Sequence, residues 1–244
     1  AVQRADNAGP HTLGASQQLT EVAILLAWLA VFIRVVGAVV TVHAFRHPRP
    51  QGHEGRCIGQ TDLTVDPRKA RRLARRIRRL AHRRGWPRVV CTSPLRRCHR
   101  VGRELRRWGW RHAVDPALME MDFGRWDGLP WALIPRDEID VWCEHFADHA
   151  PGVGESLRQF MTRVHAWEAP VPQAVVVAHA GWMLARRWCE THGTHAPPTR
   201  AAVWPHPPAY GECWTLALSG KSALKAAGDD GGHTAQLEVG ARGP

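Results

Sequence analysis

Two apolar, β-branched runs in this chain end abruptly in histidine. Val39 to Phe45 runs into Arg46-His47-Pro48, and Gln173 to Ala178 runs into His179-Ala180-Gly181. Between them lie a turn, Ser93-Pro94-Leu95-Arg96-Arg97-Cys98, and an isolated acid, Glu120, within Leu118-Met119-Glu120-Met121-Asp122-Phe123-Gly124. Taken singly these residues say little, because the chain has 15 histidines and 33 lysines and arginines. Together, at strand ends where chemistry often sits, they form a set suited to a phosphoryl group. A phosphomonoester is a dianion, and the group in flight spreads its charge over three equatorial oxygens, so a site without metal needs several fixed cations. Arg46 and an arginine of the turn, Arg96 or Arg97, offer guanidinium forks, and His179 offers a further donor. Ala180 and Gly181 add backbone N–H groups at a helix start, where an anion is favoured.

The elements that position this set can be read from periodicity. From Asp66 to Arg84 the apolar residues Ala70, Leu73, Ala74, Ile77, Leu80 and Ala81 recur at helical spacing. Asp66 before Pro67 makes a good helix start. Arg88 to Cys91 reads as a short strand, Leu95 to Trp108 as a helix, and Gln173 to Ala178 as a second buried strand. Ser156 to Trp167 and Gly181 to Cys189 read as further helices, and Cys213 to Leu218 as a late strand. The alternation implies an α/β fold of three layers, α/β/α, with a mostly parallel central sheet and helices on both faces.

In this order the motifs resemble the histidine phosphatase superfamily, in its phosphoglycerate mutase-like branch, across roughly residues 39 to 218. The stretches Cys57-Ile58-Gly59-Gln60-Thr61-Asp62, Asp122-Phe123-Gly124-Arg125-Trp126-Asp127-Gly128 and Ile134-Pro135-Arg136 look most like the α-ribazole phosphatase group. The resemblance implies that His47 attacks phosphorus to form a phosphohistidine, with Glu120 as proton donor to the leaving alkoxide and then as base toward water. Glu120 must then stay protonated, and a raised pKa is expected for it. The resemblance also selects Arg97 rather than Arg96 as the turn's phosphate-binding arginine, and implies a phosphate contact from Gln60 and neither metal nor cofactor. The expected substrate is a small-molecule phosphate monoester, α-ribazole 5′-phosphate of cobalamin assembly. Phosphoglycerate mutase or broad-specificity phosphatase is the alternative within the family.

The sequence departs from that pattern at several positions. Pro48 replaces the glycine after the first histidine, and Arg49 stands where mutases carry an acid. Val153 interrupts Pro151-Gly152-Val153-Gly154-Glu155-Ser156 where a glycine is expected, and Leu184 takes a place often held by arginine. Trp126, Trp131 and Trp142 are candidates to line a pocket for an aromatic nucleoside, with Trp142 favoured as core.

Composition bounds the remainder. The chain has 244 residues, enough for one core, and a formal charge of +11 that favours anionic substrates. Six cysteines are scattered without a C-x-x-C pair, which suits a reducing cytoplasm and suggests no zinc knuckle or disulfide framework. The domain is expected over residues 37–218, preceded by a partly apolar extension, 1–36, and followed by a flexible tail, 219–244. Within the extension, residues 22–33 are open to three readings: a short helix, a membrane anchor giving a tethered protein, or a non-native addition. The helix from Arg68 to Arg84 carries ten lysines and arginines. It raises the competing reading of a module for nucleic acid or an acidic surface. No aromatic stacking platform accompanies it in sequence, so a solvated amphipathic face is the expectation.

Overall fold

Val40–Arg46 forms β1, in which every residue but Thr41 and Arg46 is buried. A strand covered on both faces needs such a continuous apolar run. The structure, a computed structural model, describes residues 40–193 and 196–218. The expected extension at 1–36, with its apolar run at 22–33, and the tail at 219–244 lie outside the described residues.

After β1 a long loop leads to α1, Pro67–Arg84. Asp66 caps it by accepting from the N–H of Arg68 at 2.7 Å, and Gly85 ends it in the left-handed region at φ 69°. Next come β2 (Val89–Thr92), α2 (Arg96–Arg106) and β3 (Arg111–Val114). A loop of three short 3-10 turns then precedes α3, Arg136–Glu144. Helix α4, Leu157–Ala166, starts in a capping box in which Ser156 and Gln159 satisfy each other's backbone N–H. Strand β4 (Val175–Ala178), α5 (Ala180–His192) and β5 (Cys213–Leu218) complete the order.

The five strands lie in the order β3-β2-β4-β1-β5. All pairings are parallel except β1 with β5, which is antiparallel. Side chains alternate between faces. Phe45, Val90, Val175 and Val177 meet Ala70, Leu73, Ala74 and Ile77 of α1 and Val101 and Leu105 of α2 in one apolar core. The opposite face carries α5, whose Arg187 lies 3.6 Å over the ring of Trp214 on β5. The expected three layers are therefore present. Strand β3 and helix α3 were not anticipated. Among the described residues no helix is long and apolar enough to cross a membrane.

Candidate active site

Strand order and register bring the two histidines together. β4 is inserted between β2 and β1, and Arg46 pairs with Ala178, so both chains leave the sheet at the same level. The N–H of His47 donates to the carbonyl of Ala178 at 3.0 Å. The rings of His47 and His179 then meet edge to face, centroids 5.1 Å apart. His47 Nδ1 lies 2.8 Å from the carbonyl oxygen of Pro48. A carbonyl only accepts, so Nδ1 carries the hydrogen and Nε2 keeps its lone pair. Burial, and next the charge of Arg97, hold the pKa of His47 well below 6.5 and the ring neutral.

Arg97, in the first turn of α2, is fully buried and organises the layer behind the His47 ring. Its Nε donates to His179 Nδ1 at 3.2 Å, which leaves the hydrogen of His179 on Nε2. Burial and Arg97 also keep His179 neutral. The Arg97 Nη1 donates to the carbonyl of Thr61 at 2.6 Å, and Nη2 donates to that of Gly59. Three of its nitrogens thus hold the protein, and only their remaining N–H bonds are open to a ligand. Cys98 Sγ sits 3.4 Å from His179 Nε2 as a buried thiol, its pKa raised by burial. Arg46 lies 3.9 Å over the ring of Tyr210 and donates from Nη1 to the carbonyl of Pro208 at 2.6 Å. Its Nε is buried with no hydrogen-bond partner among the described residues.

Glu120 arrives on the loop after β3, and that loop is clamped. Arg163 of α4 donates to the carbonyls of Ala117 and Met119, each at 3.1 Å, and of Glu120 at 3.3 Å. Glu155 pairs with Arg163 at 2.9 Å. The Glu120 carboxyl accepts from the N–H of Met121 at 3.1 Å and of Gly181 at 3.0 Å. Burial raises its pKa above 4.5, and these two N–H groups, followed by Arg97 and Arg46, work against that rise. The expected direction is found, and burial is its cause.

Arg46, His47, Arg97, Glu120, Ala180 and Gly181 line one cavity of about 550 Å³. His179 lies just behind it, fully buried. Gln60 does not line it: its side-chain amide donates to the Glu120 carbonyl at 3.3 Å, so it braces the acid from behind. The N–H of Gly181 was expected on a phosphate and is instead given to Glu120. The helix start therefore holds the Glu120 carboxyl, and its N–H opposes the rise in that group's pKa. Much of the remaining wall is aromatic, with Phe123, Trp131, Trp142, Phe146, Trp204 and Tyr210 among aliphatic residues, prolines, His53 and Arg56. Trp142, expected as core, both packs against Trp126 and faces the cavity, whereas Trp126 is the core residue at 1% exposure. Leu184 adds an apolar contact where an arginine was looked for.

Sequence reading missed Tyr210, Arg163, Phe146 and Trp204. Tyr210 had one available signal, as the single tyrosine of the chain. Val153 keeps the glycine-like backbone of its turn, at φ 61°, with its side chain 82% exposed.

A family profile described as "Histidine phosphatase superfamily (branch 1)" matches residues 42–202. No curated protein sequence matches the chain. Among solved structures, a mycobacterial glucosyl-3-phosphoglycerate phosphatase superposes with a TM-score of 0.59 at 23% identity, over 73% of this chain and 90% of that one. The α-ribazole phosphatase from Shigella flexneri superposes with a TM-score of 0.58 at 20% identity, over 72% of this chain and 89% of that one. At these identities the likeness is one of fold.

Proposed function

The chain belongs to the histidine phosphatase superfamily, and from that premise we propose that it is a metal-independent phosphomonoesterase acting through His47 on α-ribazole 5′-phosphate. In the first step His47 Nε2 forms a bond to phosphorus as the ester P–O bond breaks, and the leaving alkoxide takes the proton of Glu120. In the second, water attacks the phosphohistidine, its proton passes to the Glu120 carboxylate, and the N–P bond breaks. A positioned acid of this kind contributes about 10²–10⁴-fold. Arg46, which lines the cavity, and the remaining N–H bonds of Arg97 hold the equatorial oxygens, while His179, expected as a further donor, supports Arg97 from behind.

The observation that carries this reading is the joining of two environments in one cavity. Its lining includes a neutral histidine, an acid whose pKa burial raises, the buried Arg97 and the half-buried Arg46, together with several aromatic rings. That combination favours a phosphomonoester whose alcohol bears a flat, apolar group, as the benzimidazole of α-ribazole does. A three-carbon acid would leave those rings without contact.

The test is phosphate release in EDTA from α-ribazole 5′-phosphate, beside p-nitrophenyl phosphate, 3-phosphoglycerate and glucosyl-3-phosphoglycerate, for the native protein and His47→Ala. EDTA-resistant release that is fastest from the ribazole ester and vanishes in the mutant supports mechanism and substrate together. Turnover of another ester alone removes the substrate assignment. Turnover by the mutant at the native rate removes His47 from the mechanism.

A further inference from the structure

A second concavity, of about 940 Å³, shares Arg46, Pro207 and Tyr210 with the catalytic cavity. Its charged residues are all cationic: Arg46, Arg49, Lys69, Arg72, Arg76 and Arg79. The last four follow one another at intervals of three, four and three residues on α1, so they form a single row along the helix. The row spans roughly 15 Å at the helical rise. Like charges at that spacing destabilise a helix, and no acid in the first turn of α1 offsets them.

Neutralisation from elsewhere is also missing. Among the described residues none of Arg49, Lys69, Arg72, Arg76 and Arg79 takes part in an ion pair, whereas Arg71, on the neighbouring face, pairs with Glu104 at 3.3 Å. The carboxylate that feels Arg76, Glu212, accepts from the N–H of Ala209 and from Trp214 and does not line the concavity. Arg76 is steadied by the Gly211 carbonyl at 2.8 Å, which holds the middle of the row in place. A concave row of cations without ion-pair partners among the described residues is complementary to a linear polyanion.

We propose that this concavity binds a short chain of linked phosphates, with one end at Arg46. The phosphates rather than any base are what it recognises. The indoles that adjoin Arg79 are engaged within the protein, Trp86 stacked on His43 at 3.6 Å and Trp108 beneath Arg78 at 4.7 Å.

The experiment is calorimetric titration of the native protein with tripolyphosphate, orthophosphate, ATP and a single-stranded oligonucleotide, repeated on Arg72→Gln/Arg79→Gln. Both substituted residues are exposed and lie outside the catalytic cavity. Tripolyphosphate is expected to bind at least tenfold more tightly than orthophosphate, to lose at least tenfold in the double variant, and to weaken with added salt. Turnover of p-nitrophenyl phosphate by the variant should match the native rate. Equal tripolyphosphate affinity in native and variant, or no preference over orthophosphate, overturns the proposal. ATP or the oligonucleotide binding more tightly than tripolyphosphate also overturns it, since bases or a nucleic-acid backbone would then be the ligand. Because binding is read without turnover, failure here is distinct from failure of the phosphatase reading.

Discussion

Gly181→Ala isolates the placement of Glu120, the proposed acid. A Cβ built on Gly181 would stand 2.2 Å from Glu120 Oε1, 3.0 Å from Cδ and 3.3 Å from Oε2. Ordinary contact begins near 3.5 Å, so the carboxyl must retreat by about 1 Å or more. It is the end of a flexible side chain, so retreat is easier than a shift of helix α5. Displacements of about 1 Å can cost ~10² in rate, and the whole contribution of a positioned acid is about 10²–10⁴. We therefore expect kcat for an alkyl phosphate to fall by about 10². Stability should stay within about 1 kcal/mol of native, because alanine is the better helix former by roughly that amount. The assay compares α-ribazole 5′-phosphate with p-nitrophenyl phosphate, whose leaving group departs with little help from an acid. The loss should be much smaller for the nitrophenyl ester. Equal losses on both esters, or a fall in urea midpoint that accounts for the lost activity, would refute the assignment of Glu120 as the acid held by this contact.

Four other outcomes follow from the same structure. kcat/KM should be limited on the acid side by protonation of His47, below its ordinary 6.5, and on the basic side by ionisation of Glu120, above its ordinary 4.5; Glu120→Gln should lose the basic limb in a pH profile. His43, His47, His112 and His179 all have lowered pKa values, so below 6.5 the unfolded chain binds protons that the native state does not. Stability measured in urea should accordingly fall from pH 7 to pH 5, with Glu120, whose raised pKa acts in the opposite direction, offsetting part of the loss. Arg163→Met removes its hydrogen bonds to three loop carbonyls and its ion pair with Glu155, leaving the Met119 carbonyl without that donor while Ala117 keeps Trp182 and Glu120 keeps Gln60, and should cost about 2 kcal/mol together with most of the activity; a loss below about 0.5 kcal/mol would show that the loop holds itself. Val153→Gly should stabilise by about 0.5–1 kcal/mol in thermal or urea unfolding, because a β-branched residue in the left-handed region is relieved and its exposed side chain forfeits little packing.

Much of the architecture was written locally. The apolar runs before His47 and His179 are strands because only a doubly covered strand uses so many consecutive β-branched residues. Asp66-Pro67, Ser156 with Gln159, and Gly85 mark helix ends through backbone groups close by in sequence. The parts that escaped have weak local signals. β3 is a four-residue edge strand that buries none of its side chains, and α3 has no fully buried residue, so neither shows the apolar period that reveals an element.

The residue types of the candidate site were likewise legible, since two strand-end histidines, two arginines and one acid are distinctive together. Their protonation states and surroundings depend on contacts between segments far apart in the chain. The insertion of β4 between β1 and β2 sets His47 beside His179, and burial among arginines makes both neutral. The raised pKa of Glu120 comes from burial under a loop that Arg163 holds from another helix. The aromatic wall is drawn from residues 123 to 210, with no spacing that links them. Sequence by itself determined which groups are present and which strands end in them. Tertiary structure decided which nitrogen keeps its lone pair, which carboxyl has its pKa raised and what lines the cavity beside them, because desolvation and long-range pairing exist only once the chain has closed around the site.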